Sequence, residues 1–160
     1  MPAELAQRRA ELAQRIEDTF ATVPYPGDDN IGSYGTEDFV GQKDWRKVPL
    51  KLLLHNVSEI SALSDEAFRF YMPAYLCAVL RDPAADGIVE SLVSYLAPSP
   101  IPDRTYIADH AIKLFTRAEK AVILEFLERH GELFPETNCV IMDDYIATLQ
   151  RAIHFWQKNL

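Results

Sequence analysis

The stretch MDDYIATLQRAIHFWQKN, residues 142–159, decides the fold class. Its apolar residues Met142, Tyr145, Ile146, Leu149, Ile153 and Trp156 fall at i, i+3, i+4, i+7, i+11 and i+14. That spacing aligns side chains along one face of an α-helix and predicts a helix packed against a core.

Upstream, the same period recurs. Thr116 and Glu119 have capping-box spacing ahead of Val122, Ile123, Phe126 and Leu127, and Gly131 is placed to terminate that helix. Asp103 is expected to cap a helix reaching toward Leu114, after a turn punctuated by Pro98, Pro100 and Pro102. DGIVESLVSYLAP, residues 86–98, supplies a shorter helix through Val89, Leu92, Val93 and Leu96. In EAFRFYMPAYLCAVL, residues 66–80, Ser64 precedes as an N-cap, and Pro73 is expected to kink or divide the helix near Tyr71 because it lacks an N–H. Pro49 opens a helix that carries Leu50, Leu53, Leu54, Val57 and Ile60 to about Leu63. At the amino terminus, Leu5, Leu12, Ile16 and Phe20 share a stripe.

No strand-period alternation or internal repeat competes with these patterns. The expectation is an all-α, compact single domain over residues 1–160 with seven or eight helices. An N-terminal helix takes residues 1–22, a long acidic Pro/Gly loop region takes 23–48, and a helical body takes 49–160.

The composition is that of a globular chain, 48% hydrophobic and 25% charged. No apolar run approaches the roughly 20 residues that span a bilayer. The first twenty residues interleave charge with Ala and Leu, lacking the apolar centre of a secretory signal, so a cytoplasmic location is expected. Cys77 and Cys139 lie in apolar helical patterns, as small buried hydrophobes do.

Twenty-four acids against sixteen bases give a net charge of −8, which argues against nucleic acid and anionic membranes as partners. The acid is clustered: residues 28–38 hold Asp28, Asp29, Glu37 and Asp38 with no base, and residues 125–144 hold six acids against Arg129. Such patches accelerate association with a basic protein, although a solvated surface needs no partner to explain it.

Signatures of chemistry are missing. His55 and Glu59 stand four apart on a predicted helix, too few ligands for a zinc site, and His110, His130 and His154 read as ordinary helix residues. No nucleophile elbow, phosphate loop, dinucleotide fingerprint or HExxH sequence occurs, and no cofactor is expected. Counting an EF-hand from Asp28 puts Ser33 at position 6 and Phe39 at position 12, where Gly and Glu are required. Asp28, Asp29 and Asn30 therefore read first as turn-stabilising side chains after Pro26-Gly27, and second as a binding feature facing a cation or a basic partner. Asp28 and Asp29 are the only weak candidates for holding a metal.

PYPGDDNI (24–31), DWRKVPLKLL (44–53) and LSDEAFRFYMPAYLCAVL (63–80) together resemble a family of uncharacterised bacterial proteins known only as a domain of unknown function. The resemblance implies a small helical protein and supplies no activity. It also suggests that the acidic loop packs on the Phe68–Tyr75 helix, with Arg69 as partner to Asp28 or Asp29 and Trp45 as a wall.

Two functions follow as expectations. The first is a non-enzymatic, acidic interaction protein that binds a basic protein partner as immunity proteins do. The second is a small-molecule or metal-dependent enzyme or binding protein with a site between the PGDDN loop and the Phe68–Tyr75 helix, built from Asp28, Asp29, Asn30, Trp45, Arg69, Tyr71 and Tyr75. Homodimerisation through an apolar face is a third arrangement the pattern allows.

Overall fold

The architecture is that of a computed structural model, which describes residues 1–136 and 143–160. Cys139 and Met142 lie outside those residues. In chain order the α-helices are α1 (Ala3–Thr19), α2 (Leu50–His55), α3 (Asp65–Arg81), α4 (Val89–Leu96), α5 (Ile107–Ala111), α6 (Arg117–Glu128), α7 (His130–Leu133) and α8 (Asp143–Lys158). Short 3-10 turns join several of them, so seven or eight helices understates the number of helical segments. Among the described residues there is no strand, only an isolated bridge between Gly32 and Leu63. No helix among them is long and apolar enough to cross a membrane.

α3 is the buried axis. Its residues from Phe70 to Cys77 are all buried, because Phe, Tyr, Met and Leu occupy every face of the helix rather than one stripe. Ser64 accepts from the Ala67 amide at 3.0 Å and opens it as expected. Pro73 does not divide it: the helix runs unbroken from Asp65 to Arg81. Packing holds it together, with α1, α5 and the 3-10 turn over Pro83–Ile88 lying against α3, while α4 and α6 flank α8.

The core is knitted by aromatic edges. Phe115, between α5 and α6, meets Phe20 of the α1 end at 6.2 Å, Phe68 of α3 at 6.1 Å and Trp156 of α8 at 5.3 Å, each edge-to-face. The Trp156 indole N–H donates to the Leu96 carbonyl at 2.8 Å, capping the end of α4. Truncating a side chain so enclosed typically costs about 3–5 kcal/mol.

The expected stripe of α8 is corrected in part. Trp156 is fully buried, but Ile146 is 51% exposed, and Ala152 and Phe155 share the buried face with Trp156 instead. Tyr145, Leu149 and Ile153 of the expected stripe are partly buried and pack against the core, so among its described members Ile146 is the one that turns to solvent.

Other boundaries move for local reasons. α5 begins only at Ile107, where Asp109 accepts the Tyr106 amide at 2.7 Å, and Tyr106 rather than Asp103 is its N-cap residue. Gly131 lies inside α7 rather than ending α6. The helix from Pro49 breaks at Asn56 and continues as a 3-10 turn over Val57–Ala62, because the Asn56 side chain turns back to the Leu52 carbonyl at 2.9 Å. The capping box of Thr116 and Glu119 is present.

The segment expected as an open Pro/Gly loop carries three 3-10 turns, Asp28–Asn30, Glu37–Phe39 and Trp45–Lys47. It is fastened to the body. The Ser33 amide donates to the Ala62 carbonyl at 3.0 Å, and the Ser64 amide to Ile31 at 2.8 Å. Thr36 precedes the second of the three.

Candidate functional site

The acidic segment packs on α3 through rings. Tyr25 meets Phe70 edge-to-face at 5.6 Å, and Phe39 lies against Tyr71 at 4.8 Å. The Tyr71 hydroxyl stands 2.8 Å from the carbonyls of both Phe39 and Gln42 and shares its proton between them. Burial first, and then the fields of Tyr25 and Asp28, hold the Tyr71 phenol well above its ordinary pKa. It is a structural donor.

The two aspartates point outward. Asp28 accepts from the Tyr25 hydroxyl at 2.7 Å, and that hydroxyl in turn accepts the Gly41 amide at 2.8 Å, closing the segment on itself. Asp28, Asp29 and Asn30 are all exposed, while the Asn30 carbonyl takes the Ser64 hydroxyl at 2.8 Å. Tyr34, at the outer tip of the same segment, is 93% exposed.

The expected partnership of Arg69 with Asp28 or Asp29 is not formed. Arg69 donates from Nε and Nη2 to the two carboxylate oxygens of Glu119 at 2.8 and 2.9 Å, tying α3 to the start of α6. Trp45 is not a wall for the aspartates either. Its indole N–H donates to the Phe20 carbonyl at 3.3 Å, and its ring borders a separate cleft of about 190 Å³ with Cys77 and Arg81. Tyr75 donates to the Leu53 carbonyl at 2.8 Å and is buried. Of the seven residues singled out by sequence, Asp28, Asp29 and Asn30 share one exposed turn, Tyr71 anchors the same segment through Phe39 and Gln42, and Trp45, Arg69 and Tyr75 make their polar contacts elsewhere. His55 is exposed at the end of α2, and no group of three metal-ligating side chains occurs among the described residues.

A different set of polar groups converges beyond the Val57–Ala62 turn. Glu59 of that turn lies beside Gly35 of the acidic segment, where a Cβ would come within 2.3 Å of its carboxylate. Burial, and then the field of Glu59, raises the phenol of Tyr95 on α4. Tyr95 lines a cleft of about 330 Å³ together with Ser61, Ser94, Thr105, Tyr106, Ile107 and His110. The His110 ring nitrogen Nδ1 pairs with Asp65, the first residue of α3, which fixes the imidazole at the cleft edge.

Ser94 also lines a second groove of about 350 Å³ with Glu90, Ser91, Asp144, Tyr145 and Thr148. Neither is lined by a lysine or arginine among the described residues. Arg104, Lys113 and Arg151 stand within three residues of lining positions and line neither. Sequence spacing could not find this set: Asp65 and His110 stand 45 residues apart, and its hydroxyls follow no motif.

No curated protein and no solved structure matches the chain. A family model matches residues 8–160. With nearly its whole length matched, the chain belongs to the family of unknown function DUF6714.

Proposed function

We propose that the protein binds, without catalysis of its own, a basic protein partner through its acid-rich face, as an immunity protein masks a cationic surface. The observation that carries the reading is the set of carboxylates left without an ion pair on the acidic segment. Arg8, Arg9, Arg15, Arg69, Arg81 and Arg129 are each engaged with acids of the chain itself. Asp28, Asp29, Glu37, Asp38, Glu59 and Glu90 form no ion pair among the described residues. Residues 28–38 hold four of these acids and no base. Unpaired surface carboxylates of one sign steer a cationic partner and lose that effect as salt screens them.

A small-molecule or metal-dependent site between the PGDDN turn and the Phe68–Tyr75 stretch has less support. The rings of Tyr25, Phe39, Phe70 and Tyr71 pack there, and none of the clefts described above lies between those elements.

The test is affinity capture at low salt followed by native mass spectrometry. A stoichiometric complex with a protein of high isoelectric point is expected, dissociating in high salt and absent for the variant Asp28→Lys/Asp29→Lys/Glu37→Lys. A chain that captures no stoichiometric partner at low salt, or captures one equally well after charge reversal, contradicts the reading.

A further inference from the structure

We propose that the cleft between α2 and the C-terminal half of α3 binds a small carboxylate with an apolar body, one ring or a branched chain in size, through Arg46 and Arg81. The inference goes beyond the basic-partner reading and does not rest on it, because the groups that recognise this ligand are cationic.

The cleft exists because α3 carries short side chains there. Ala74, Cys77 and Ala78 stand at i, i+3 and i+4, and with Val48, Leu50 and Leu53 they line a hollow of about 190 Å³ that longer side chains would fill. The Trp45 ring borders it and is held in place, its indole N–H donating to the Phe20 carbonyl at 3.3 Å. An apolar cavity of ~150 Å³ takes benzene, which sets the size of the ligand's apolar body.

Two guanidinium groups supply the charge. Arg46 engages only Nε with Asp44, at 3.3 Å, and Arg81 only Nη2 with Glu17, at 2.7 Å. Arg46 Nη1 and Nη2, and Arg81 Nε and Nη1, make no hydrogen bond to the protein among the described residues. Both side chains line the cleft and both residues are exposed, so these N–H groups are open to a ligand. Guanidinium presents its donors as a planar fork that matches a carboxylate, and such charged bonds are roughly twice as strong as neutral ones.

The remaining polar groups of the lining leave an anion room. Asp82 accepts the Ala84 amide at 2.9 Å with Oδ1, capping the 3-10 turn that follows α3. Burial pushes the Cys77 thiol up to about 12, against the opposing field of Arg81, so the floor carries no thiolate at neutral pH. Apolar floor and open cationic donors share one cleft, and the ligand that satisfies both carries a carboxylate on an apolar body.

The experiment is an NMR titration of the ¹⁵N-labelled full chain at neutral pH with phenylacetate. Phenylacetamide, which keeps the ring and shape without the charge, and acetate, which keeps the charge without the ring, are the controls. Saturable shifts are expected at the Trp45 indole N–H and at the amides of Arg46, Ala74 and Ala78, while the indole of Trp156, fully buried outside the cleft, stays unmoved. Each control should bind about tenfold more weakly. Arg46→Gln and Arg81→Gln should each weaken phenylacetate about fivefold and leave phenylacetamide unchanged, a difference that a merely structural role for either arginine would not produce. Ala78→Leu should fill the hollow and abolish binding of both with unchanged circular dichroism.

Equal affinity for phenylacetate and phenylacetamide overturns the inference, as does acetate binding as tightly as phenylacetate. Saturable shifts at other residues only, or no saturable response to phenylacetate, overturn it too. None of these outcomes touches the basic-partner reading, which stands or falls on charge reversal of the acidic segment.

Discussion

Arg69 and Glu119, fifty residues apart in sequence, face each other as a fork on a fork, Nε to Oε1 at 2.8 Å and Nη2 to Oε2 at 2.9 Å. Glu119 is only 3% exposed and also accepts the Thr116 amide at 3.1 Å, so one carboxylate both caps α6 and fastens it to α3. Parallel paired bonds to a buried carboxylate are the strong kind of ion pair.

Removing one partner leaves the other buried and charged. Arg69→Met should therefore cost about 3–5 kcal/mol in urea unfolding. The double variant Arg69→Met/Glu119→Met should recover most of that loss, short of roughly 1 kcal/mol for the lost cap. A single substitution costing under about 1 kcal/mol, or a double variant worse than the single, would show that the pair is not the element that joins these helices.

The acidic segment depends on Tyr71 and not on its aspartates. Asp28→Asn keeps an acceptor for Tyr25 at an exposed position and should change stability by less than about 0.5 kcal/mol. Tyr71→Phe withdraws the donor shared by Phe39 and Gln42 and should cost about 1–3 kcal/mol. Amide exchange at residues 39–42 should quicken only in the second variant. Equal effects from the two substitutions would contradict this division of roles.

How far the sequence reaches is visible at these residues. Ser64, Thr116 and Glu119 announce helix starts because capping is local and its partners lie three residues away. Phe20, Leu12 and Ile16 are buried as their stripe requires. Arg69 shows where legibility ends: its charge calls for a partner, and local rules cannot choose between Asp28 and a glutamate fifty residues on. The α4 groove is less legible still, since Ser61, Ser94, Thr105 and His110 come from separate elements that only the packing of α3, α4 and α5 brings together. Pro73 misleads for the complementary reason: a local rule against helix continuation is overridden by burial along nearly the whole of α3.

Two glycines of the acidic segment should respond differently to alanine. A Cβ at Gly32 would lie 2.4 Å from the Ala62 carbonyl oxygen and 2.9 Å from the Leu63 Cα, both backbone atoms that cannot swing aside. At Gly27 a Cβ meets nothing within 4 Å, and only the positive φ of 101° opposes it. Gly27→Ala should cost about 1–2 kcal/mol. Gly32→Ala should cost more and should also expose the amides of Ser33 and Ser64, whose bonds cross that contact. Hydrogen exchange at those two amides decides the point, and unchanged protection would mean that the bridge is not needed to seat the segment.

His130 makes stability depend on pH. It is fully buried, its Nε2 meets the Tyr145 hydroxyl of α8, and its Nδ1 has no hydrogen-bond partner among the described residues. Burial opposes the charged form and brings its pKa down to about 4. An unfolded histidine titrates near 6.5, so between those values the unfolded chain binds the extra proton and the folded chain does not. Stability from this group is complete above about pH 6.5, falls as pH drops toward 4, and has no further slope below that. The span corresponds to about 3 kcal/mol. Replacing the ring as His130→Phe/Tyr145→Phe removes the titrating group and the hydroxyl that depends on it together. Chemical unfolding of both proteins from pH 7 to pH 4 should then show the native chain losing stability faster by about that amount, and parallel curves would mean that His130 is not the group that titrates.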